Sequence, residues 1–130
     1  MAEGRLRLRR VSDDAVVCEK LVLGESFGQR FLGLMGRASQ PDSEGLYLPS
    51  NSIPMMFMRF PIDALFVSKE DEDGQRSVVR LRPDLPAWRG LVMPVRGAEG
   101  VVEMPAGTLA AVGVVEGDTV VFEPTPEATA

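Results

Sequence analysis

Alternating apolar and charged residues near the start of the chain predict a β-hairpin. Between residues 5 and 9, Leu6 and Leu8 alternate with arginines and would share one face of a strand. A polar turn follows at Ser12–Asp14, and Ala15–Leu23 is rich in residues that favour extended structure. These segments therefore predict a strand and its returning partner.

Two short helices are predicted elsewhere in the chain. Ser26 is followed three residues later by Gln29, which is the spacing of a capping box, and Gly36 is a natural helix stop. The second helix is predicted over Pro105–Val112, because proline is favoured in the first helical turn, and Gly113 would end it.

Most of the remaining chain has the pattern of short strands separated by turns. The acidic turn Lys69–Gly74 joins two of them into a hairpin, Pro61 indicates an edge, bend or bulge, and Pro83–Gly90 is predicted to be an irregular loop. The predicted strands are Gly45–Leu48, Met55–Phe60, Ile62–Ser68, Ser77–Arg82, Val101–Met104 and Thr119–Glu123. We therefore expect a mostly β (α+β) fold, a compact barrel-like domain over residues 1–123 with a flexible tail over residues 124–130.

Composition and charge narrow the classes of function. The 130 residues have the apolar and charged fractions of an ordinary soluble globular protein. We expect no membrane association, because no segment approaches the ~20 apolar residues of a membrane span. The N-terminal residues lack the apolar segment of a signal peptide, so we expect a cytoplasmic protein. The net charge of −5, with arginines spread along the chain, indicates that nucleic acid is not a partner.

The absence of histidine and the single cysteine exclude several kinds of active site. Histidine is the usual general base and the commonest metal ligand, and Cys18 alone cannot form an intramolecular disulfide. Ser–His–Asp catalysis, Cys–His catalysis and a Cys/His zinc site are therefore excluded. We expect neither a metal nor a cofactor. Cys18, which alternates with Val16 in the second strand, is predicted to be a small core residue.

Three separated motifs give the chain a resemblance to a known family. They are Arg30-x-x-Gly33-Leu34-Met35-x-Arg37, Met58-Arg59-x-Pro61-Ile62-Asp63 and Glu103-x-Pro105-Ala106-Gly107. In this order they resemble the domain of unknown function 192 family, over about Phe27 to Phe122. The resemblance implies a small, mainly β fold and no established substrate or reaction. Many relatives carry a Cys and a His, four residues apart, just before the second motif, where this chain has Ser50 and Pro54.

Arg59 and Asp63 are the most informative charges, because they lie in the almost wholly apolar segment Met55–Val67. A charge in such a segment is costly unless it is paired or hydrogen-bonded. One interpretation is a structural ion pair across the bend at Pro61. The other is a site in which Arg59 anchors an anion and Asp63 acts as a general base or binds a metal.

Three further residues complete the predicted binding surface. Glu103 either engages the free N–H groups of the second predicted helix or pairs with Arg59 or Arg30 across the barrel. Arg30 is a better candidate for ligand binding than Arg37, whose positive charge suits the end of the first helix. Trp88 is either a contact for a partner or a lid over the core.

These residues support three hypotheses of function. The first is a non-enzymatic domain that binds a small anionic ligand or a protein partner through Arg30, Arg59, Asp63, Glu103 and Trp88. The second is a carboxylate- and Arg-dependent hydrolase or isomerase with Asp63 or Glu103 as the base and Arg59 as the electrostatic stabiliser. It requires these charged groups to converge on one pocket. The third is a purely structural or assembly role. The absence of histidine favours the first.

Overall fold

The computed structural model describes residues 6–23, 44–51, 53–54, 61–86, 91–92 and 94–126. Within these ranges the chain forms nine strands and one helix, α1 (Thr108–Val112). The strands are β1 (Leu6–Arg10), β2 (Val16–Leu23), β3 (Glu44–Leu48), β4 (Ile53–Pro54), β5 (Ile62–Val67), β6 (Gln75–Leu85), β7 (Leu91–Val92), β8 (Gly100–Pro105) and β9 (Thr119–Pro124). The predicted first helix and the predicted strand Met55–Phe60 lie outside the described residues.

Seven of the strands close into a barrel. Their order around the barrel is β1, β2, β3, β8, β5, β6 and β9, and β9 pairs with β1. The pair formed by β2 and β3 is parallel, and the other six pairs are antiparallel. The strands β4 and β7 form a separate two-stranded sheet. The predicted mostly β, barrel-like fold is therefore confirmed. The one helix in the described ranges is far too short to cross a bilayer.

Apolar side chains from every barrel strand fill the interior. This cluster also includes residues from α1 and from the turn after it. Its members are Leu8, Val17, Cys18, Leu21, Tyr47, Leu65, Val67, Val78, Val102, Met104, Leu109, Val114 and Val120. Cys18 is 1% exposed, as its place in the strand predicted. Burial raises the pKa of its thiol to about 12, so the thiol stays protonated and unreactive.

A second apolar cluster covers the outer face of three neighbouring strands, β3, β8 and β5, and extends to Leu85 at the end of β6. Its members are Leu46, Leu48, Ile62, Ala64, Phe66, Leu85, Val95 and Val101. Val95 belongs to the connection between β7 and β8 and packs onto this face. Because β5 is covered on both faces, all of its residues are buried. Burial on both faces explains why its sequence is nearly continuously apolar and does not alternate.

The strand β6 is longer than predicted and contains Pro83, which was assigned to a loop. Proline cannot donate a backbone hydrogen bond, so within a sheet it is confined to edges and bulges. Here Ala64 faces Arg82 and Ile62 faces Leu85, which leaves one extra residue on β6. This arrangement is a β-bulge, and Pro83 lies in it. The neighbour on the other side, β9, pairs with β6 only near its first residues.

The second helix begins later than predicted. Pro105 is still part of β8, where it faces Ile62, and the helix starts at Thr108. Gly107 precedes the helix with φ 98°, a conformation that side chains rarely adopt. The helix ends as predicted, because Gly113 adopts φ 78° and its N–H donates to the carbonyl of Leu109.

Gly100→Ala is expected to destabilise the barrel by about 1–3 kcal/mol, which is typical of overpacking. A Cβ at Gly100 would overlap ring atoms of Tyr47. That ring cannot easily move away, because it packs edge-on against Phe122 at 5.1 Å and lies 5.3 Å from the Arg76 guanidinium. Urea unfolding measures the change. In a Tyr47→Leu background the same substitution should cost much less, and an equal cost in both backgrounds would contradict this explanation.

Candidate functional site

Asp63 lies inside the barrel wall, where its carboxylate accepts three backbone hydrogen bonds. Its Oδ1 accepts from the N–H of Asp84 at 2.8 Å. Its Oδ2 accepts from the N–H groups of Gly107 at 3.1 Å and Leu109 at 2.9 Å. The side chain is 1% exposed. Asp63 therefore holds the bulge of β6 and supplies the carboxylate at the start of α1.

The opposite end of α1 is held by Arg10 from β1. Its Nη2 donates to the carbonyl of Val112 and its Nη1 to the carbonyl of Gly113, both at 3.1 Å. Free carbonyls at a helix C-terminus attract positive charge. Arg10 also binds Asp13, and this hydrogen bond lowers the pKa of the Asp13 carboxyl to about 2. Sequence patterns gave no signal for this role, since Arg10 lies just after the alternating segment 5–9 and belongs to no motif.

Glu103 lies on the opposite side of the barrel wall from Asp63. Its neighbours along β8, Val102 and Met104, belong to the interior cluster, so Glu103 faces outward. Leu46 and Ala64 are its partners on the adjacent strands. The side chain is fully buried, and burial raises the pKa of its carboxyl to about 8. At pH 7 the carboxyl is therefore mostly protonated and can donate a hydrogen bond.

Two connections are joined beside this outer face. The strands β4 and β7 pair through Ile53 with Val92 and Pro54 with Leu91. The N–H of Val95 donates to the carbonyl of Asn51 at 2.9 Å. Val95 also packs in the outer apolar cluster, so it lies against the face that carries Glu103. We call the outer surface of β3, β8 and β5, together with Val95, the Glu103 face.

The structure places two of the five predicted site residues. Asp63 and Glu103 are close in the sheet, because Asp63 faces Met104 and Ala64 faces Glu103, but their side chains leave the wall in opposite directions. Arg30, Arg59 and Trp88 lie outside the described residues.

The N–H groups at the start of α1, which Glu103 was one candidate to engage, are bound by Asp63. A ligand-binding role for the five residues stays a prediction.

Sequence reasoning also missed a cation that lies over two aromatic rings. The Arg76 guanidinium is 4.7 Å from the Phe122 ring centroid and 5.3 Å from that of Tyr47. It donates to the carbonyl of Ser68 at 3.0 Å and to Glu99 at 3.1 Å. Tyr47, Glu99 and Phe122 are distant from Arg76 along the chain, so no local pattern reveals these contacts. Within the described ranges, Asp, Glu and Cys side chains form no group of three that could hold a metal ion.

The motifs and the barrel agree with a sequence family. The chain matches the family DUF192, described as an uncharacterized ACR, over residues 10–122. This chain belongs to the DUF192 family. It is also 32% identical to a UPF0127 protein of Thermococcus kodakarensis, in an alignment of 113 residues that covers 83% of this chain and 68% of that protein. The resemblance inferred from the three motifs is thereby confirmed.

Two crystal structures resemble this DUF192 barrel. One is a Sinorhizobium meliloti protein, provisionally described as a transcription regulator, with a TM-score of 0.68 and 23% identity over 93% of this chain and 94% of that one. The other is a Novosphingobium aromaticivorans protein of unknown function, with a TM-score of 0.67 and 23% identity over 89% of this chain and 82% of that one. At this identity the similarity shows the fold alone.

Asp63→Asn is expected to destabilise the DUF192 barrel by about 2–4 kcal/mol, since a buried carboxylate oxygen is replaced by an N–H₂ group that faces a backbone donor. Urea unfolding would measure the loss. Glu116→Gln, which changes a carboxylate on the exposed surface, is the matched control and should alter stability by less than about 0.5 kcal/mol. An Asp63→Asn protein as stable as the control would contradict the capping role.

The stability of the protein should depend on the ionisation of Glu103. Its pKa is raised in the folded chain from 4.5 to about 8, so the folded state keeps a proton that the unfolded state releases. The free energy of unfolding should therefore fall as the pH rises from about 4.5 through about 8.

Glu103→Gln is neutral at every pH and should remove this fall, while Glu116→Gln should retain it. Urea unfolding between pH 5 and 9 would test this expectation. Parallel profiles for the wild type and Glu103→Gln would contradict it.

Proposed function

We propose that this DUF192 protein is a non-enzymatic binding domain and that the Glu103 face is its binding surface. The observation that carries the proposal is the buried Glu103 carboxyl, which lies in an otherwise apolar face with a pKa raised to about 8. A titratable group with a strongly perturbed pKa is more common at functional sites than elsewhere. Val95, whose N–H donates to the carbonyl of Asn51, packs on the same face.

The described geometry favours binding over catalysis. A carboxylate-dependent hydrolase or isomerase needs its acid, its base or its stabilising cation to converge on one pocket. Asp63 faces the interior, and both of its oxygens accept backbone hydrogen bonds. Glu103 faces the other side of the wall. The two carboxylates therefore cannot act on the same substrate group.

A small organic anion is the ligand that this chemistry suits best. A protonated Glu103 can donate a hydrogen bond to an anionic oxygen, whereas an ionised one would repel it. Arg59 and Arg30 belong to the family motifs and would supply the positive charge, with Trp88 as an aromatic contact. Because Glu103 is fully buried, a ligand reaches it only after a local rearrangement of the residues around it, so binding is expected to be coupled to a conformational change.

A thermal-shift panel of small carboxylates and phosphates at pH 7 would test the proposal. A ligand should raise the melting temperature of the wild type and of Arg80→Ala, and this rise should be lost in Arg59→Ala. Arg80 is the matched control, because it is half-exposed and lies near Glu116 on the outer surface.

The same ligand should bind more weakly above pH 8, where Glu103 ionises. In Glu103→Gln, which cannot ionise, binding should not fall in this way. An equal rise in Arg59→Ala would place the ligand elsewhere. If no member of the panel raises the melting temperature, the hypothesis of a small anionic ligand is contradicted. A protein partner then remains as the binding hypothesis.

A further inference from the structure

A recess lies on the barrel wall outside β1 and β2, away from the Glu103 face. It is a cavity of about 110 Å³ lined by Arg7, Val16, Glu19 and Thr125. A water molecule occupies roughly 30 Å³ in the liquid, so the cavity has room for a few waters or for one small organic molecule. None of its four lining residues belongs to the outer apolar cluster of the Glu103 face.

Thr125 contributes a buried polar group to the wall of the cavity. This residue follows β9 and is 4% exposed. Its hydroxyl is buried and has no hydrogen-bond partner in the described structure. Buried hydroxyl groups are nearly always hydrogen-bonded, because an unsatisfied one loses its interaction with water without replacement. A ligand in the cavity would supply the missing partner.

The cavity carries charges of both signs. Arg7 uses its Nε and Nη2 to bind the Oε2 of Glu123, at 2.8 and 2.7 Å, and a guanidinium has further N–H donors. The same oxygen of Glu123 also accepts from Arg9 at 2.8 Å, so one carboxylate serves two guanidinium groups. Glu19 contributes a carboxylate from β2 and is exposed. A simple anion would meet Glu19, and a simple cation would meet Arg7.

We propose that this cavity binds a small zwitterion with the backbone of an amino acid. Its carboxylate would accept hydrogen bonds from the Arg7 guanidinium and the Thr125 hydroxyl. Its ammonium group would pair with the carboxylate of Glu19. The proposal is independent of the Glu103 face, because the two regions share no residue.

An NMR titration with L-alanine would test this assignment. The backbone amide signals of Arg7, Glu19 and Thr125 should shift together as alanine is added. Acetate and ethylamine, which each carry one half of the zwitterion, should bind at least about tenfold more weakly, because each lacks charge-assisted hydrogen bonds. Acetate that binds as well as alanine, or alanine that shifts none of these signals, would overturn the proposal.

Thr125→Val separates ligand binding from folding. Valine is similar in size to threonine but lacks the unsatisfied hydroxyl, so the variant should be at least as stable as the wild type. Its affinity for alanine should nevertheless fall about tenfold. Glu19→Gln should weaken the binding of alanine and leave the binding of acetate unchanged. Thr119→Val, at the other end of β9, is the control and should bind alanine as the wild type does. A Thr125→Val protein that loses stability and keeps its affinity would show a structural role instead.

Discussion

The carboxylate of Asp63 is the interaction on which one end of the barrel depends. Three backbone N–H groups, one in the bulge of β6 and two at the start of α1, have no partner in a strand or helix, and a single side chain on β5 accepts from all of them. A helix of five residues is too short to persist by its own hydrogen bonds. It persists here because Asp63 and Arg10 bind its two ends and Leu109 packs into the barrel.

The closed barrel then decides what each acidic residue can do. Successive residues of a strand point to opposite faces, so Asp63 and Glu103, although close in the sheet, occupy different environments. Asp63 meets backbone donors in the interior. Glu103 meets apolar side chains on the outer face, and burial there raises its pKa to about 8. The same sheet geometry that brings the two carboxylates close together prevents them from sharing a pocket.

The sequence predicted those features that local patterns determine. The first hairpin, the burial of Cys18 and the helix end at Gly113 follow from alternation and glycine conformation, and the structure confirms them. The passage of β6 through Pro83 could not be predicted, because the bulge depends on register with β5. The partners of Asp63 are 21 to 46 residues away along the chain. The outward direction of Glu103 was hidden because β8 is covered on both faces and so does not alternate.

The two proposed binding regions use charge differently. On the Glu103 face, burial suppresses the charge of a carboxyl and leaves a neutral group that can donate a hydrogen bond. Beside β1 and β2 the side chains keep their charges. The Glu123 carboxylate accepts hydrogen bonds from Arg7 and Arg9, and the Glu19 carboxylate lies nearby. Partly exposed ion pairs contribute little to stability. The stability of the fold therefore does not account for charged side chains around a buried, unsatisfied hydroxyl. The proposed binding of a small zwitterion accounts for them better, because it would give Arg7, Glu19 and Thr125 a polar partner at the same time.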